Sequence, residues 1–293
     1  MTTGTDPLAP LAQLAGVPEA VAEVRKNVDR LYGHRVMRRR AGEVTSESAL
    51  RGARASAALD GADWPLEEVR RRTDFGADPE ARTVGAALRL SAEAGQLLSV
   101  WRTSPLQVLA RLHLLAVGDG DPAAGRPRRD GEEAAPLFPR EVAATEGEAP
   151  AGPVGELPPP PPPAETAARL DQLAGLLTAR TERPTGGAPA LVVAAVVHGE
   201  LLALRPFGTH NGLVARAAQR IVLTAEGLDP KAICPAEVGL AELGTAAYRQ
   251  ALLGYLEGTP EGVSRWLVHC AAGLGLGVRE STAVCEAMQR GMV

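Results

Sequence analysis

His198-Gly-Glu-Leu-Leu-Ala-Leu-Arg-Pro-Phe-Gly-Thr-His-Asn-Gly-Leu-Val-Ala-Arg216 is the most informative stretch of this 293-residue chain. It reads as a helix, a tight loop and a second helix. Pro206 stops the first helix because it has no N–H and its ring clashes with the preceding turn. Asn211 is a favourable N-cap residue, and Gly212 opens the second helix with no side chain in the way. A loop rich in Gly, Thr and Asn that feeds a helix N-terminus turns free backbone N–H groups and the positive dipole end into one concavity, which suits phosphate. Arg216 and Arg220 lie one turn apart, so their spacing lets both face that pocket while Val214, Ala218 and Ile221 face the core. The same spacing also describes an ordinary helical hairpin with solvated arginines.

Working outward, apolar residues keep helical spacing. Upstream lie Ala188 to Leu202, a segment from Ala164 carrying Leu170, Leu173, Leu176 and Leu177, and Leu106, Leu109, Leu112, His113, Leu115 and Val117. Ser46 to Leu59 is a small, Ala-rich helix ending at Asp60-Gly61. Residues 11 to 38 form a helix interrupted near Gly16-Val17-Pro18, with Val21, Val24, Val28 and Leu31 on one face. Downstream come Gly212 to Glu226, Ala246 to Gly258 and an apolar stretch from Trp266. From Gly118 to Pro163 the periodicity dissolves into Gly, Pro, Glu and Arg and ends in Pro158 to Pro163, six prolines that hold polyproline II geometry. That insert reads as a spacer or surface lid in preference to an SH3-type ligand. The chain is therefore mostly α, without internal repeats. It divides into an N-terminal helical segment (1–45), first core helices (46–117), a Pro/Gly-rich flap (118–163), a core (164–275) and a C-terminal tail (276–293).

Composition narrows the function. Thirty-one basic against 35 acidic residues give a net charge of -4, too weak a field to hold a phosphate backbone, so no nucleic-acid partner is expected. Every basic residue except Lys26 and Lys231 is arginine, which with heavy Ala and Gly use suggests GC-rich, bacterial coding. Cys234, Cys270 and Cys285 have no metal-ligand spacing and cannot all pair, so a reducing cytoplasm and no zinc site are expected. The N-terminus lacks a secretion pattern and the longest apolar run, Ala188 to Val197, is too short to span a bilayer, so no membrane partner is expected. Gly273-Leu-Gly275-Leu-Gly277 is not a dinucleotide fingerprint, since only 16 residues follow it. His198, on an apolar helix, reads as a buried, hydrogen-bonded packing residue.

Residues Arg205-Pro-Phe-Gly-Thr-His-Asn-Gly-Leu-Val-Ala-Arg216 resemble the Fic family motif His-Pro-Phe-x-Asp/Glu-Gly-Asn-Gly-Arg-x-x-Arg. Pro206, Phe207, Asn211, Gly212 and Arg216 match in register. The resemblance covers roughly residues 46 to 270 and includes the His198 helix, Tyr248-Arg-Gln and Trp266. It implies a Fic-type helical bundle, with the Pro-rich insert as an irregular or hairpin-like flap. It also implies a fold on which active relatives move AMP from ATP and magnesium onto a protein hydroxyl. In such enzymes the motif histidine takes the proton, the acid holds the metal, the Gly-Asn-Gly backbone cradles phosphate and the arginines neutralise it. Here that cradle corresponds to Gly208, Asn211, Gly212 and Arg216, with ATP or another nucleotide as the implied ligand and an unidentified protein as target or partner.

Four positions depart from the pattern. Arg205 stands where the family has its base, and a guanidinium does not accept a proton. Thr209 replaces the metal carboxylate and is a poor sole ligand for a hard cation, so no magnesium site is expected. His210 replaces a glycine and Leu213 the first arginine. His210 is the one alternative base, although it sits on the phosphate side of the turn. Loss of a general base alone removes about 10²- to 10⁴-fold in rate. Upstream, Ser56-Ala-Ala-Leu-Asp60-Gly61 resembles the family's inhibitory motif Ser/Thr-x-x-x-Glu-Gly, which implies a pair between Asp60 and Arg216. The sequence thus points to a Fic-type protein whose AMP transfer is lost or altered. Two other readings stand beside it: a non-catalytic interaction module, and a transfer from another phosphorylated donor held by Arg205.

Overall fold

The computed structural model describes residues 6–118, 120–147, 150, 152–181 and 187–292. After a short 3-10 turn at Ala9–Gln13 come α1 (Val17–Tyr32), α2 (Met37–Leu59), α3 (Leu66–Arg71), α4 (Pro79–Glu93), α5 (Leu98–Trp101) and α6 (Pro105–Val117). The Pro-rich insert follows, then α7 (Pro163–Thr181), α8 (Ala190–Leu204), α9 (Asn211–Ala225), α10 (Ala236–Glu257) and α11 (Pro260–Gln289). No strand occurs among the described residues.

The α8–α9 hairpin is the centre. α8 is apolar on every side, and all but two of its residues are buried, which a helix tolerates only when neighbours surround it. α9 is buried from Asn211 to Leu223. Helices α2, α4, α6, α10 and α11 pack around the pair. Because α2 carries Gly52, Ala53, Ala55, Ala57 and Ala58, it lies close against α4 and α10 and brings its C-terminal Asp60 to the start of α9.

α10 and α11 form an antiparallel pair whose axes meet over glycine. A methyl group on Gly239 would run into the carbonyl of Gly273, and one on Gly273 would lie 2.9 Å from the Leu240 side chain. The Gly273–Gly277 run is thus a close-packing seam.

Three boundaries differ from the sequence reading. α2 begins at Met37 and crosses the expected division at 45/46, with a local break at Arg40 (φ -122°). α10 begins at Ala236, ten residues before the expected start, and continues past a non-helical Gly244 (φ 80°). α11 runs through the expected tail, since Val278, Ser281, Val284, Cys285 and Met288 recur at helical spacing and are buried. The insert remains irregular, yet it is tied down: Val142 N–H donates to Thr245 Oγ1 (3.0 Å) and Thr145 N–H to the Glu242 carbonyl (2.8 Å). All three cysteines are buried and free, and no described helix is long and apolar enough to cross a membrane.

Candidate functional site

The loop between α8 and α9 is bracketed by two left-handed residues, Arg205 (φ 41°) and His210 (φ 58°). Such backbone is strained for any residue with a Cβ, so both turns are held by their surroundings. Pro206 ends α8 as its chemistry requires. Asn211 does not cap α9: His210 occupies the N-cap position, without a side-chain capping bond. The Asn211 amide instead turns back on Phe207, accepting from its N–H (3.0 Å) and donating to its carbonyl (2.7 Å). Phe207 is buried, so both its backbone groups need partners, and one amide fork supplies both.

Phe207 stacks on His113 with ring centroids 4.1 Å apart and planes 6° from parallel. His113 Nδ1 accepts from Gly125 N–H (3.0 Å), and burial, assisted by nearby His210, pushes its pKa down to about 4. It is a neutral packing partner at physiological pH. Thr209 is exposed and its hydroxyl lies 2.8 Å from His210 Nδ1. Burial also lowers the His210 pKa, with the Asp60 carboxylate opposing the shift.

Deeper in, Arg216 is almost fully buried. Its Nε donates to Ser56 Oγ (2.8 Å), and its Nη2 donates to the Ser56 carbonyl (3.0 Å) and to Asp60 Oδ1 (2.5 Å). Burial works against the guanidinium charge, but Asp60 and then Tyr248 outweigh it and raise its pKa. The same Asp60 oxygen sits over Gly212, where a Cβ would come within 2.5 Å of it. Ser56, Asp60, Gly212 and Arg216 therefore meet at the start of α9, whereas Gly61 faces Pro139 of the insert. The aspartate, one methylene shorter than glutamate, reaches because α2 lies close enough for Ser56 to touch the same arginine. Its carboxylate meets the positive end of α9, which further favours it there.

On the far side, Tyr248 shares a 2.5 Å hydrogen bond with His198 Nε2, and Trp266 donates to the Ala195 carbonyl (2.8 Å). Burial, then the Arg216 charge, drives the His198 pKa well down. His198 is the buried packing residue expected. Arg220 does not share the pocket. Four residues further along α9 it lies about 6 Å beyond Arg216 along the helix axis, where Glu237 of α10 takes it in a bidentate pair (3.1 and 3.0 Å).

Arg205 turns away from the cradle toward the insert. Its Nη2 donates to the Pro158 carbonyl, and its Nε is buried without a partner. Arg128, which the sequence did not single out, donates Nε to the Arg205 carbonyl (2.7 Å) and Nη2 to the carbonyls of Pro161 (3.2 Å) and Leu204 (3.3 Å). Its N–H donates to the Pro206 carbonyl (2.8 Å), and Ala135 N–H donates to that of Gly208 (2.7 Å). The contacts that set Arg128 apart from its neighbour Arg129 reach residues 33 to 77 positions away, so no local signal marks it.

The donor set does not suit magnesium. Thr209 offers one neutral oxygen directed at His210, and no group of three or more His, Cys, Asp or Glu residues converges among the described residues.

No protein-family model matches the chain, and no curated protein sequence matches it. Solved structures do. A Fic family protein from Desulfovibrio desulfuricans G20 superposes with a TM-score of 0.68 at 19% identity, over 91% of this chain and 74% of that one. A Fic domain containing signaling protein from Bacteroides thetaiotaomicron gives 0.60 at 13% identity, over 92% and 97%. Fic-1 from C. elegans gives 0.59 at 14%, over 92% and 73%. This all-helical chain has the Fic fold. The helical hairpin that carries its motif loop lies at the centre of that fold.

Proposed function

We propose that this chain is a Fic-family protein that has given up AMP transfer and keeps the motif as a closed structural core with a latent phosphate cradle. The reading rests on one observation: the Asp60 carboxylate lies over Gly212 and engages Arg216, so the protein's own anion fills the place a phosphate would take. Two substitutions agree with it. Arg205 offers no base and is committed to Pro158, while Thr209 offers no metal carboxylate. ATP and magnesium have no role in this reading, because the cradle is filled and the donor set does not fit the metal.

Incubation with labelled ATP and a cytosolic extract, with and without magnesium, tests the claim. Wild-type chain is expected to label neither itself nor a partner. Calorimetry should show ATP binding to the Asp60→Ala variant and little to wild type, still without transfer. Labelling by wild type that disappears on Asn211→Ala substitution would overturn the inactivity. A second reading, transfer from another phosphorylated donor held by Arg205, is disfavoured because that guanidinium points at the proline run.

A further inference from the structure

The two buried arginines beside the motif have no acidic partner: neither Arg128 nor Arg205 forms an ion pair among the described residues. Arginines this deeply buried normally bind carboxylates, or else backbone carbonyls that have no other donor. Here the second case holds, and the pattern of carbonyls is informative. Arg205 takes Pro158 and Arg128 takes Pro161, three residues apart. Polyproline II has three residues per turn, so carbonyls at i and i+3 lie on one face, one turn apart. A proline run suits such recognition because it has no N–H groups with which to satisfy its own carbonyls and little chain entropy to lose. Thr166 completes the contact from α7, its hydroxyl donating to the Pro161 carbonyl (3.2 Å) and its N–H to that of Pro162 (2.9 Å). Pro158, Pro159 and Pro162 keep exposed rings while Pro160 and Pro161 are half-buried, so the run is held through its carbonyls.

We propose that Arg128 and Arg205 form a binding site for polyproline II peptide, and that its resident ligand is the chain's own Pro158–Pro162 segment, which ends where α7 begins. The arginine at the family's base position is then a peptide-reading residue. Because Arg128 also holds the Leu204 and Arg205 carbonyls and the Pro206 backbone, the run and the motif loop are fastened by the same side chains. This inference does not depend on whether AMP transfer is lost.

A competition experiment tests it. The probe is a fluorescein-labelled peptide that copies the run, six prolines flanked by leucine and alanine. The tethered run acts at an effective concentration on the order of millimolar, so this peptide should bind wild-type chain only weakly. Replacing Pro159 and Pro160 with glycine removes the rigidity of the run but leaves both arginines in place. In that variant the peptide should bind at least about tenfold tighter, and adding Arg205→Gln should remove the gain through loss of one charge-assisted bond. Circular dichroism checks folding, and cleavage by a Glu-specific protease reports locally. In Arg205→Gln, cutting at Glu156 should rise about tenfold through loss of that same bond, while cutting at Glu286, on α11, stays unchanged. Equal peptide binding by all three proteins would overturn the proposal, as would cleavage at Glu156 insensitive to Arg205→Gln. A parallel rise at both cleavage sites would also overturn it, since it would make the arginine a general stabiliser.

Discussion

Replacing Asp60 with alanine strands the Arg216 guanidinium in the core. Removing one member of a buried pair costs about 3–5 kcal/mol, because the remaining charge keeps its desolvation penalty and loses its counter-ion. Two features reduce that figure here. The Asp60 side chain is 18% exposed, so water reaches the pair from one side, and Ser56 continues to accept from Arg216 through both its hydroxyl and its carbonyl. A loss of about 2–3 kcal/mol is expected, roughly a 30- to 150-fold change in the unfolding constant. Urea denaturation followed by far-ultraviolet circular dichroism measures it, provided the slope with denaturant is unchanged. Asp60→Asn should lose less, since its amide oxygen still accepts from Nη2. The double variant Asp60→Ala/Arg216→Met should be at least about 1 kcal/mol more stable than the sum of the single losses, because no charge is then left behind. Phosphate or ATP should restore more stability to Asp60→Ala than to wild type. A loss under about 0.5 kcal/mol, within the range of an ordinary surface substitution, together with strict additivity, would refute the claim that the acid holds the arginine in place.

His210 adopts φ 58° at a position where glycine is at ease, so His210→Gly should stabilise the chain by about 1 kcal/mol after loss of its exposed bond to Thr209, readable as a higher denaturation midpoint. Gly239→Ala drives a methyl into the Gly273 carbonyl and should lose about 1–3 kcal/mol by overpacking, whereas Gly275→Ala, with nothing near its Cβ, should be neutral or slightly stabilising in the same assay. His113 and His269 have folded pKa values lowered by burial to about 4, against about 6.5 in the unfolded chain. Below about pH 6.5 the unfolded state therefore binds more protons, so their stabilisation is complete above that pH and is lost as pH falls toward about 4. Urea midpoints between about pH 7 and 4.5 should fall accordingly, and His113→Phe, which keeps a ring on Phe207, should make the decline shallower. A midpoint independent of pH in this range would contradict the burial of both imidazoles.

Much of the architecture was legible because helical periodicity is a local signal. The breaks at Gly16-Val17-Pro18, Pro206 and the proline run all follow from backbone chemistry within a few residues, as does the helix that stops at Asp60-Gly61. The ordered matches from Ser56 to Arg216 also pointed to the fold and to the Asp60–Arg216 pair, since each position carries a distinct chemical requirement. Boundaries were less legible. Small residues such as Gly52 and Ala53 carry little periodicity, and at Gly244 a local break leaves the helical course of α10 intact on both sides.

What the sequence determined by itself was the inventory: which segments are helical, that a tight loop feeds α9, and that this loop carries a guanidinium at Arg205 and a neutral hydroxyl at Thr209. Tertiary structure alone decided where those side chains go. It sent Asn211 back to Phe207, Arg220 to Glu237 and Arg205 to Pro158, and it supplied Arg128 from a stretch with no local pattern. The physical reason is that a buried donor or charge must find a partner wherever the packed chain offers one. For these residues the partners lie 4, 17, 47 and 77 positions away in sequence, and the longer of those distances are ones that spacing rules do not reach.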